Sequence, residues 1–134
     1  MNKTFSIVIP VYNRATIVAN TLDSIAKQTY RPIHLILVDN NSSDNSLEIL
    51  NQWKNANETD DFTVTVATES LPGAAAARNK GLHYVDSNLL AFFDSDDTMR
   101  PTAIADYVEA FTENPKADIV CCNALYHFIN GKTR

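Results

Sequence analysis

Short apolar segments alternate with helical patterns along this chain. Each segment is rich in apolar and β-branched residues and is either continuous or alternating, so it predicts a strand with at least one buried face. Four such strands are predicted at 5–11, 33–38, 62–67 and 89–93. A fifth is predicted to begin at 118–123, followed by a further strand and turn containing Tyr126, Phe128 and Gly131.

Helices are predicted between these strands. Asn13 is the expected cap of the first helix, and Ser43 or Asp44 that of the second. Gly73 interrupts the chain before a run of small residues that predicts a closely packed helix at 74–84. A fourth helix begins at Pro101 and ends at Asn-Pro 114–115. The positions expected to be apolar and inward-facing are Ile17, Thr21, Leu22, Ile25, Leu47, Leu50, Trp53, Ile104, Val108 and Phe111.

This alternation predicts an α/β fold, with a mostly parallel sheet and helices on both faces. The length of 134 residues suits one domain, and 45% hydrophobic with 20% charged residues is ordinary for a globular chain. In open parallel sheets, ligands bind outside the carboxyl ends of the strands. Functional residues are therefore expected directly after the strands.

Charge and cysteine content narrow the classes of function. The net charge is −5 and there is no cluster of Lys and Arg, which argues against nucleic-acid binding. No segment reaches the roughly 18 apolar residues of a membrane span. Cys121 and Cys122 are neighbours, so we expect them on opposite faces of the fifth strand as reduced, packed thiols. Such thiols indicate a reducing, cytoplasmic compartment.

Three features beside the predicted strands have both a functional and a structural interpretation. The segment 10–14 (PVYNR) ends the first strand and either follows a nucleotide with its backbone or simply ends the strand. Asp39 ends the second strand and either accepts hydrogen bonds from a base or ribose or forms a turn. Arg78 lies on the small-residue helix and is either a cation facing an anionic ligand or a surface arginine.

The strongest single signal is the acidic segment 94–97 (DSDD) directly after the fourth strand. Carboxylates held this close repel one another, and a divalent cation relieves that repulsion. Mg²⁺ or Mn²⁺ typically binds one or two protein carboxylates and completes its shell with water and diphosphate oxygens. The alternative is an exposed acidic loop without a ligand.

Four blocks together resemble family 2 glycosyltransferases with the GT-A, Rossmann-like fold. They are 6–13 (SIVIPVYN), 38–44 (VDNNSSD), 73–81 (GAAAARNKG) and 93–97 (FDSDD), and they occur in order over nearly the whole chain. Each block is weak alone, and their combination is specific. The resemblance implies transfer of a sugar, with inversion, from a nucleoside-diphosphate donor such as a UDP-sugar to a glycan or lipid-linked acceptor in cell-envelope polysaccharide synthesis.

The resemblance also implies roles for individual residues. Pro10, Val11 and Asn13 would line the nucleotide and Tyr12 would lie against its base. Asp39 would bind the base. The remaining nucleotide-binding residues would be Arg78, Asp94 and Asp96. Within the Asp-x-Asp signature Asp96 would contact ribose or the metal, and Asp97, next to it, would be the principal ligand of Mn²⁺ or Mg²⁺.

The family pattern places a catalytic-base carboxylate and the acceptor site in a second half. Glu109 and Glu113 lie on a predicted helix and are not convincing bases. We therefore expect 1–134 to be the nucleotide-sugar-binding part, truncated before the acceptor half, with the base outside the chain. The parent would work at the inner face of the membrane through the missing part.

Two other functions fit parts of the sequence less well. The segment 94–98 also resembles the nucleophile motif of haloacid-dehalogenase-type phosphatases, but that motif normally opens its domain. A non-catalytic nucleotide-binding or metal-binding module is the other alternative. The first strand is not followed by Gly-x-Gly-x-x-Gly, and no Gly-x-x-x-x-Gly-Lys occurs, so a dinucleotide cofactor and ATP hydrolysis are not expected.

Overall fold

The computed structural model describes residues 3–126 and contains one four-stranded sheet between two layers of helices. Strands and helices alternate, as predicted. The elements in chain order are β1 (Phe5–Val11), α1 (Val18–Ala26), β2 (Ile33–Asp39), α2 (Ser46–Asn57), β3 (Phe62–Thr68), α3 (Ala74–Leu82), β4 (Leu89–Phe92) and α4 (Ala103–Glu113).

The sheet has the strand order β3-β2-β1-β4, and every neighbouring pair is parallel. The central strand β1 pairs with β2 from Phe5↔Ile33 to Val11↔Asp39, and with β4 from Phe5↔Leu89 to Val8↔Phe92. All strands therefore point the same way, and their carboxyl ends share one edge of the sheet. This confirms the predicted parallel sheet and brings the loops that follow the strands together.

One face of the sheet carries the larger core. Because successive strand residues point to opposite faces, odd-numbered residues of β1 and β2 such as Ile7, Ile9 and Leu35 share this face. They pack against α1, α2 and α4, whose fully buried positions include Leu22, Leu50 and Ile104, respectively. Burying large aliphatic side chains stabilises the domain by about 1.5–3 kcal/mol each before entropy is counted.

The opposite face carries α3 alone among the four helices. Val8, Ile36 and Val38 of the sheet pack there against Ala77. Gly81 comes closer still: a Cβ atom at this position would lie 2.4 Å from Cγ1 of Val8. The predicted close packing of the small-residue helix is thus confirmed, and helices cover both faces of the sheet.

Several local predictions were wrong. Asn13 does not cap α1, because the helix begins at Val18 and its first turn has no side-chain cap. Ile17 is 39% exposed for the same reason, since it lies before the helix. On α4, Ile104 is fully buried and Val108 packs against the core as predicted, whereas Phe111 is only half-buried.

The predicted fifth strand is absent from the described residues. Residues 118–126 form neither helix nor strand, and Cys121 and Cys122 are exposed free thiols instead of packed ones. Without a neighbouring strand next to them, their apolar residues have no sheet face to bury. The strand and turn predicted around Phe128 and Gly131 lie outside the described residues.

Candidate nucleotide-binding cleft

A cleft of about 820 Å³ lies at the carboxyl edge of the sheet. Its walls are formed by the last two residues of β1 and by the loops that follow all four strands. The lining residues are Pro10 and Val11 at the end of β1, Tyr12 and Arg14 after it, Asn40 and Asn41 after β2, Ser70, Pro72 and Gly73 after β3, Ala74 and Arg78 from α3, and Asp94, Ser95 and Asp96 after β4. The cleft is thus large enough for a nucleotide-sized ligand.

Asn13 joins the first two loops of the cleft. Its side-chain Oδ1 accepts hydrogen bonds from the backbone N–H of Ser43 at 2.8 Å and of Asp44 at 3.4 Å. Its own backbone N–H donates to the Ser42 hydroxyl at 3.0 Å. These bonds hold Asn13 at φ 51°, a left-handed conformation that asparagine tolerates better than most residues. The side chain is therefore used to shape the wall of the cleft and does not reach a helix terminus.

Asn40 fixes the third loop of the cleft. It is 5% exposed, and its amide nitrogen donates to the carbonyls of Glu69 and Leu71, both at 2.8 Å. Its amide oxygen accepts the backbone N–H of Gly73 at 2.8 Å. One side chain thereby ties the end of β2 to the whole segment between β3 and α3.

Asp39 is buried next to the cleft with one oxygen unpaired. The residue is 5% exposed, and its Oδ2 accepts the backbone N–H of Ser42 at 3.3 Å. Its Oδ1 is buried and has no hydrogen-bond partner among residues 3–126. An unpaired buried carboxylate oxygen is costly, so it points to a donor that arrives with a ligand.

Two arginine–aspartate pairs cross the cleft. Arg78 donates to Asp94 Oδ1 at 2.9 Å, and Arg14 donates to Asp96 Oδ2 at 3.5 Å. All four side chains are partly exposed, so water screens both pairs. The cleft thus presents two cations and two anions to any ligand that enters it.

The acidic loop is held from behind by α1. The Thr21 hydroxyl donates to the carbonyl of Ser95 at 3.0 Å, and the Ser24 hydroxyl accepts the N–H of Met99 at 3.0 Å. Gln28, just after the helix, donates to the carbonyl of Arg100 at 2.7 Å. These contacts fix the backbone of the loop and leave its carboxylates facing outward.

Asp97 is the member of the acidic loop whose charge is least compensated. Burial raises the pKa of Asp97 above its ordinary value, and the negative charges of Asp96 and Asp94 raise it further. Crowding of the carboxylates thus raises the pKa of Asp97, as expected, although burial contributes more to the rise. Within the described part of the chain, no group of three or more His, Cys, Asp or Glu side chains converges as a metal site.

The structure places the residues predicted from sequence in two groups. Pro10, Val11, Tyr12, Arg78, Asp94 and Asp96 line the cleft, whereas Asn13, Asp39 and Asp97 lie beside it. Glu109 and Glu113 are exposed on α4 and do not line it. The nucleotide and metal roles assigned to the residues of both groups stay predictions.

Two further residues of the cleft, Arg14 and Asn40, have roles that sequence analysis missed. Both stand within segments that the sequence singled out, directly after a strand. In the sequence, nothing separated Arg14 and Asn40 from the polar residues next to them. Only their contacts in the structure show their roles.

Comparison with known proteins identifies the class to which this fold and cleft belong. Residues 6–134 match the sequence model of the family described as glycosyl transferase family 2. This match covers nearly all of the chain. The chain belongs to glycosyl transferase family 2.

Individual relatives agree with this assignment. The Escherichia coli protein named UDP-Glc:alpha-D-GlcNAc-diphosphoundecaprenol beta-1,3-glucosyltransferase WfaP is 33% identical over 111 residues, which are 83% of this chain and 42% of that protein. The crystal structure of Staphylococcus aureus TarS in complex with UDP superposes with a TM-score of 0.73 at 25% identity, covering 82% of this chain and 32% of that one.

A third comparison concerns the fold alone. The mannosyltransferase PcManGT from Pyrobaculum calidifontis, solved with GDP-Man and Mn²⁺, has a TM-score of 0.72 at 22% identity, covering 83% of this chain and 33% of that one. The parallel sheet with helices matches these GT-A glycosyltransferases, so the predicted fold is confirmed.

The relatives are longer than this chain. It spans between 14% and 42% of the length of the curated relatives that it matches. Among residues 3–126, no helix is both long enough and apolar enough to cross a membrane.

Proposed function

We propose that this chain binds a nucleoside-diphosphate sugar, UDP-linked, as the donor in a glycosyl transfer. The observation that carries the proposal is the unpaired buried oxygen of Asp39 beside a cleft that also presents Arg14 and Arg78. A nucleotide sugar supplies a partner for each group: N–H donors on its base and negative oxygens on its diphosphate. The complex of TarS with UDP supports the choice of a uridine nucleotide.

The base would bind at the end of the cleft near β1 and β2. Tyr12 lines the cleft and is 58% exposed, so its ring offers an aromatic face for stacking. Asp39 would accept an N–H of the uracil with its Oδ1, because that oxygen is the one left without a partner. Pro10 and Val11 would form the apolar floor of this part of the site.

The diphosphate would bind toward Arg78 and the acidic loop. Asp96 and Asp97 would hold a divalent cation, Mn²⁺ or Mg²⁺, and their carboxylate oxygens suit these ions. The donor set fits, because two carboxylates are enough when diphosphate and water supply the other positions. Burial and the negative charges of Asp96 and Asp94 raise the pKa of Asp97, and a cation would relieve the part due to the neighbouring charges. The bound cation would offset the charge of the departing diphosphate. The Mn²⁺ in the complex of PcManGT supports this part of the proposal.

We further propose that the sugar passes, with inversion, to a hydroxyl of a glycan or lipid-linked acceptor. The name of WfaP gives a diphosphoundecaprenol acceptor for that relative, which favours cytoplasmic action at a membrane face in cell-envelope polysaccharide synthesis. Inversion requires a base that deprotonates the acceptor. Asp94 pairs with Arg78 at 2.9 Å, and Asp96 and Asp97 would be bound to the cation, so none of the three is a free base in this cleft. We therefore place the base outside the described residues and expect this chain alone to bind donor with little turnover.

Calorimetric titration of the 134-residue chain with UDP tests the proposal. We expect binding that tightens when Mn²⁺ replaces a chelator, and UDP should tighten Mn²⁺ binding by the same factor. D97A should fold normally, since Asp97 is exposed, and should lose this coupling. No UDP binding in either condition would refute the donor site, and equal affinity in both would refute the cation alone.

A further inference from the structure

The guanidinium of Arg14 combines a buried nitrogen, unpaired in the described part of the chain, with long contacts at its other two nitrogens. Its Nε is buried without a hydrogen-bond partner among residues 3–126. One terminal nitrogen donates to the carbonyls of Tyr12 and Asn13 at 3.3 and 3.4 Å, and the other reaches Asp96 at 3.5 Å. Charge-assisted bonds of this kind are normally about 2.7–2.9 Å long. Each contact is therefore longer than a well-formed one.

The backbone of Arg14, in contrast, is firmly held. Its N–H donates to the hydroxyl of Ser46 at 2.9 Å, and Ser46 is fully buried. The next N–H, of Ala15, donates to Asp44 at 3.1 Å. The residue thus combines a firmly held main chain with a guanidinium whose contacts are all long.

The second ion pair of the cleft is shorter than the Arg14–Asp96 pair. Arg78 and Asp94 meet at 2.9 Å, with exposed fractions of 36% and 58% that resemble those of Arg14 and Asp96 at 37% and 49%. With similar exposure, the shorter pair is the better formed. Arg14–Asp96 is therefore the pair that a competing anion displaces more readily.

We propose that Arg14 binds the diphosphate of the nucleotide. Before the nucleotide arrives, the guanidinium of Arg14 is bound to the carboxylate of Asp96 instead. An entering diphosphate takes the guanidinium, including its unpaired Nε, and Asp96 is released at the same moment. The released carboxylate then becomes available to a divalent cation. Asp96 and the diphosphate compete for one arginine, and Arg14 and the cation compete for one carboxylate. This inference rests on the proposed donor site and assigns a partner exchange within it.

The exchange predicts effects of opposite sign for the two members of the pair. In chelator, R14M should weaken UDP binding at least tenfold, because the diphosphate loses its cation. Under the same conditions D96N should tighten UDP binding severalfold, because Arg14 no longer has a competing carboxylate. With Mn²⁺ and no nucleotide, R14M should bind the ion severalfold more tightly than the wild type does.

Calorimetry with UDP and with Mn²⁺ alone, on the wild type, R14M, R14K, D96N and R100M, tests the exchange. R14K should retain part of the UDP affinity, since lysine keeps the charge but loses the planar fork. R100M is the matched control: Arg100 is exposed, does not line the cleft, and its loss changes the net charge equally. Far-ultraviolet circular dichroism on each variant separates a lost contact from a lost fold.

The outcomes distinguish the exchange from the donor site itself. The exchange alone would be overturned if the wild type binds UDP and R14M binds it with the same affinity. It would also be overturned if R14M loses no more UDP affinity than R100M does. Weaker metal-free binding by D96N would overturn it as well, because Asp96 would then be a direct ligand of the nucleotide. A wild type that binds no UDP would overturn the proposed function and this inference with it.

Discussion

Val8 on β1 occupies the space that a Cβ atom at Gly81 on α3 would need. Such an atom would lie 2.4 Å from Val8 Cγ1, well inside van der Waals contact, and Val8 is fully buried. Helix α3 carries Arg78 and begins at the rim of the cleft. The distance between α3 and the sheet therefore determines where one wall of the cleft stands.

We expect G81A to destabilise the protein. Alanine favours a helix over glycine by at most about 1 kcal/mol, whereas overpacking a core costs typically about 1–3 kcal/mol, so the net effect is a loss. Urea unfolding followed by the fluorescence of Trp53, the single tryptophan, measures it. In a V8A background the same change should be neutral or stabilising, because the space is then free. An equal cost in both backgrounds would contradict the contact.

Thr21→Val should loosen the acidic loop from α1. The hydroxyl that donates to the Ser95 carbonyl disappears at constant shape, and the buried carbonyl loses its partner at a cost of about 1–3 kcal/mol. Thr112→Val is the matched control, because its exposed hydroxyl bonds only within α4 and its loss should cost less than about 0.5 kcal/mol. Equal free energies of unfolding for the two variants would show that Thr21 does not hold the loop.

Asp39→Asn should weaken UDP binding by about 1–3 kcal/mol, because the donor on the base loses a charged acceptor. Calorimetry at fixed salt measures the change. Asp60→Asn makes the same substitution just before β3, at the opposite edge of the sheet, and should leave the affinity unaltered. A folded D39N protein with wild-type affinity would remove Asp39 from the site.

We expect Asp44 to make the free energy of unfolding fall as the pH is lowered into the acid range. Its hydrogen bond from the Ser46 hydroxyl, aided by the backbone N–H groups of Ala15 and Ser46, lowers the pKa of Asp44 below its ordinary value of 3.8. Because the pKa is lower in the folded state, ionised Asp44 stabilises the fold above pH 3.8. This stabilisation is lost as the pH falls through the pKa of Asp44 in the folded protein.

The difference in the free energy of unfolding between wild type and D44N should therefore shrink as the pH falls below this range. Denaturant titrations at a series of pH values measure it. D118N, which removes an exposed carboxylate after α4, provides the baseline. A difference that stays constant into acid would rule out the bonded, ionised Asp44.

The sequence predicted the sheet well because strand signals here are local. The pattern located β1, β2 and β3 within one residue at their ends, and their parallel order follows from the helices between them. The predicted fifth strand failed for a non-local reason. Residues 118–123 have the composition of a strand, but composition does not supply the neighbouring strand that a ladder requires.

The cleft was predictable in outline and not in its contacts. Side chains after parallel strands must gather at one edge, so Tyr12, Arg78 and Asp94 were expected near one another. The role of Asn13 was mistaken because an asparagine before a helix suits a cap, while the loop across from it offered better donors. Bonds of this kind join positions about thirty residues apart, and no local pattern reports them.

Asn40 determines how much order the protein must gain when a ligand enters. Its amide already bonds to Glu69, Leu71 and Gly73, so the segment between β3 and α3 has a fixed course before binding. Ordering a loop at the moment of binding subtracts from affinity, and a preformed wall avoids that loss. The conformational entropy of this wall is therefore given up during folding, and the proposed nucleotide would meet a wall that is already ordered.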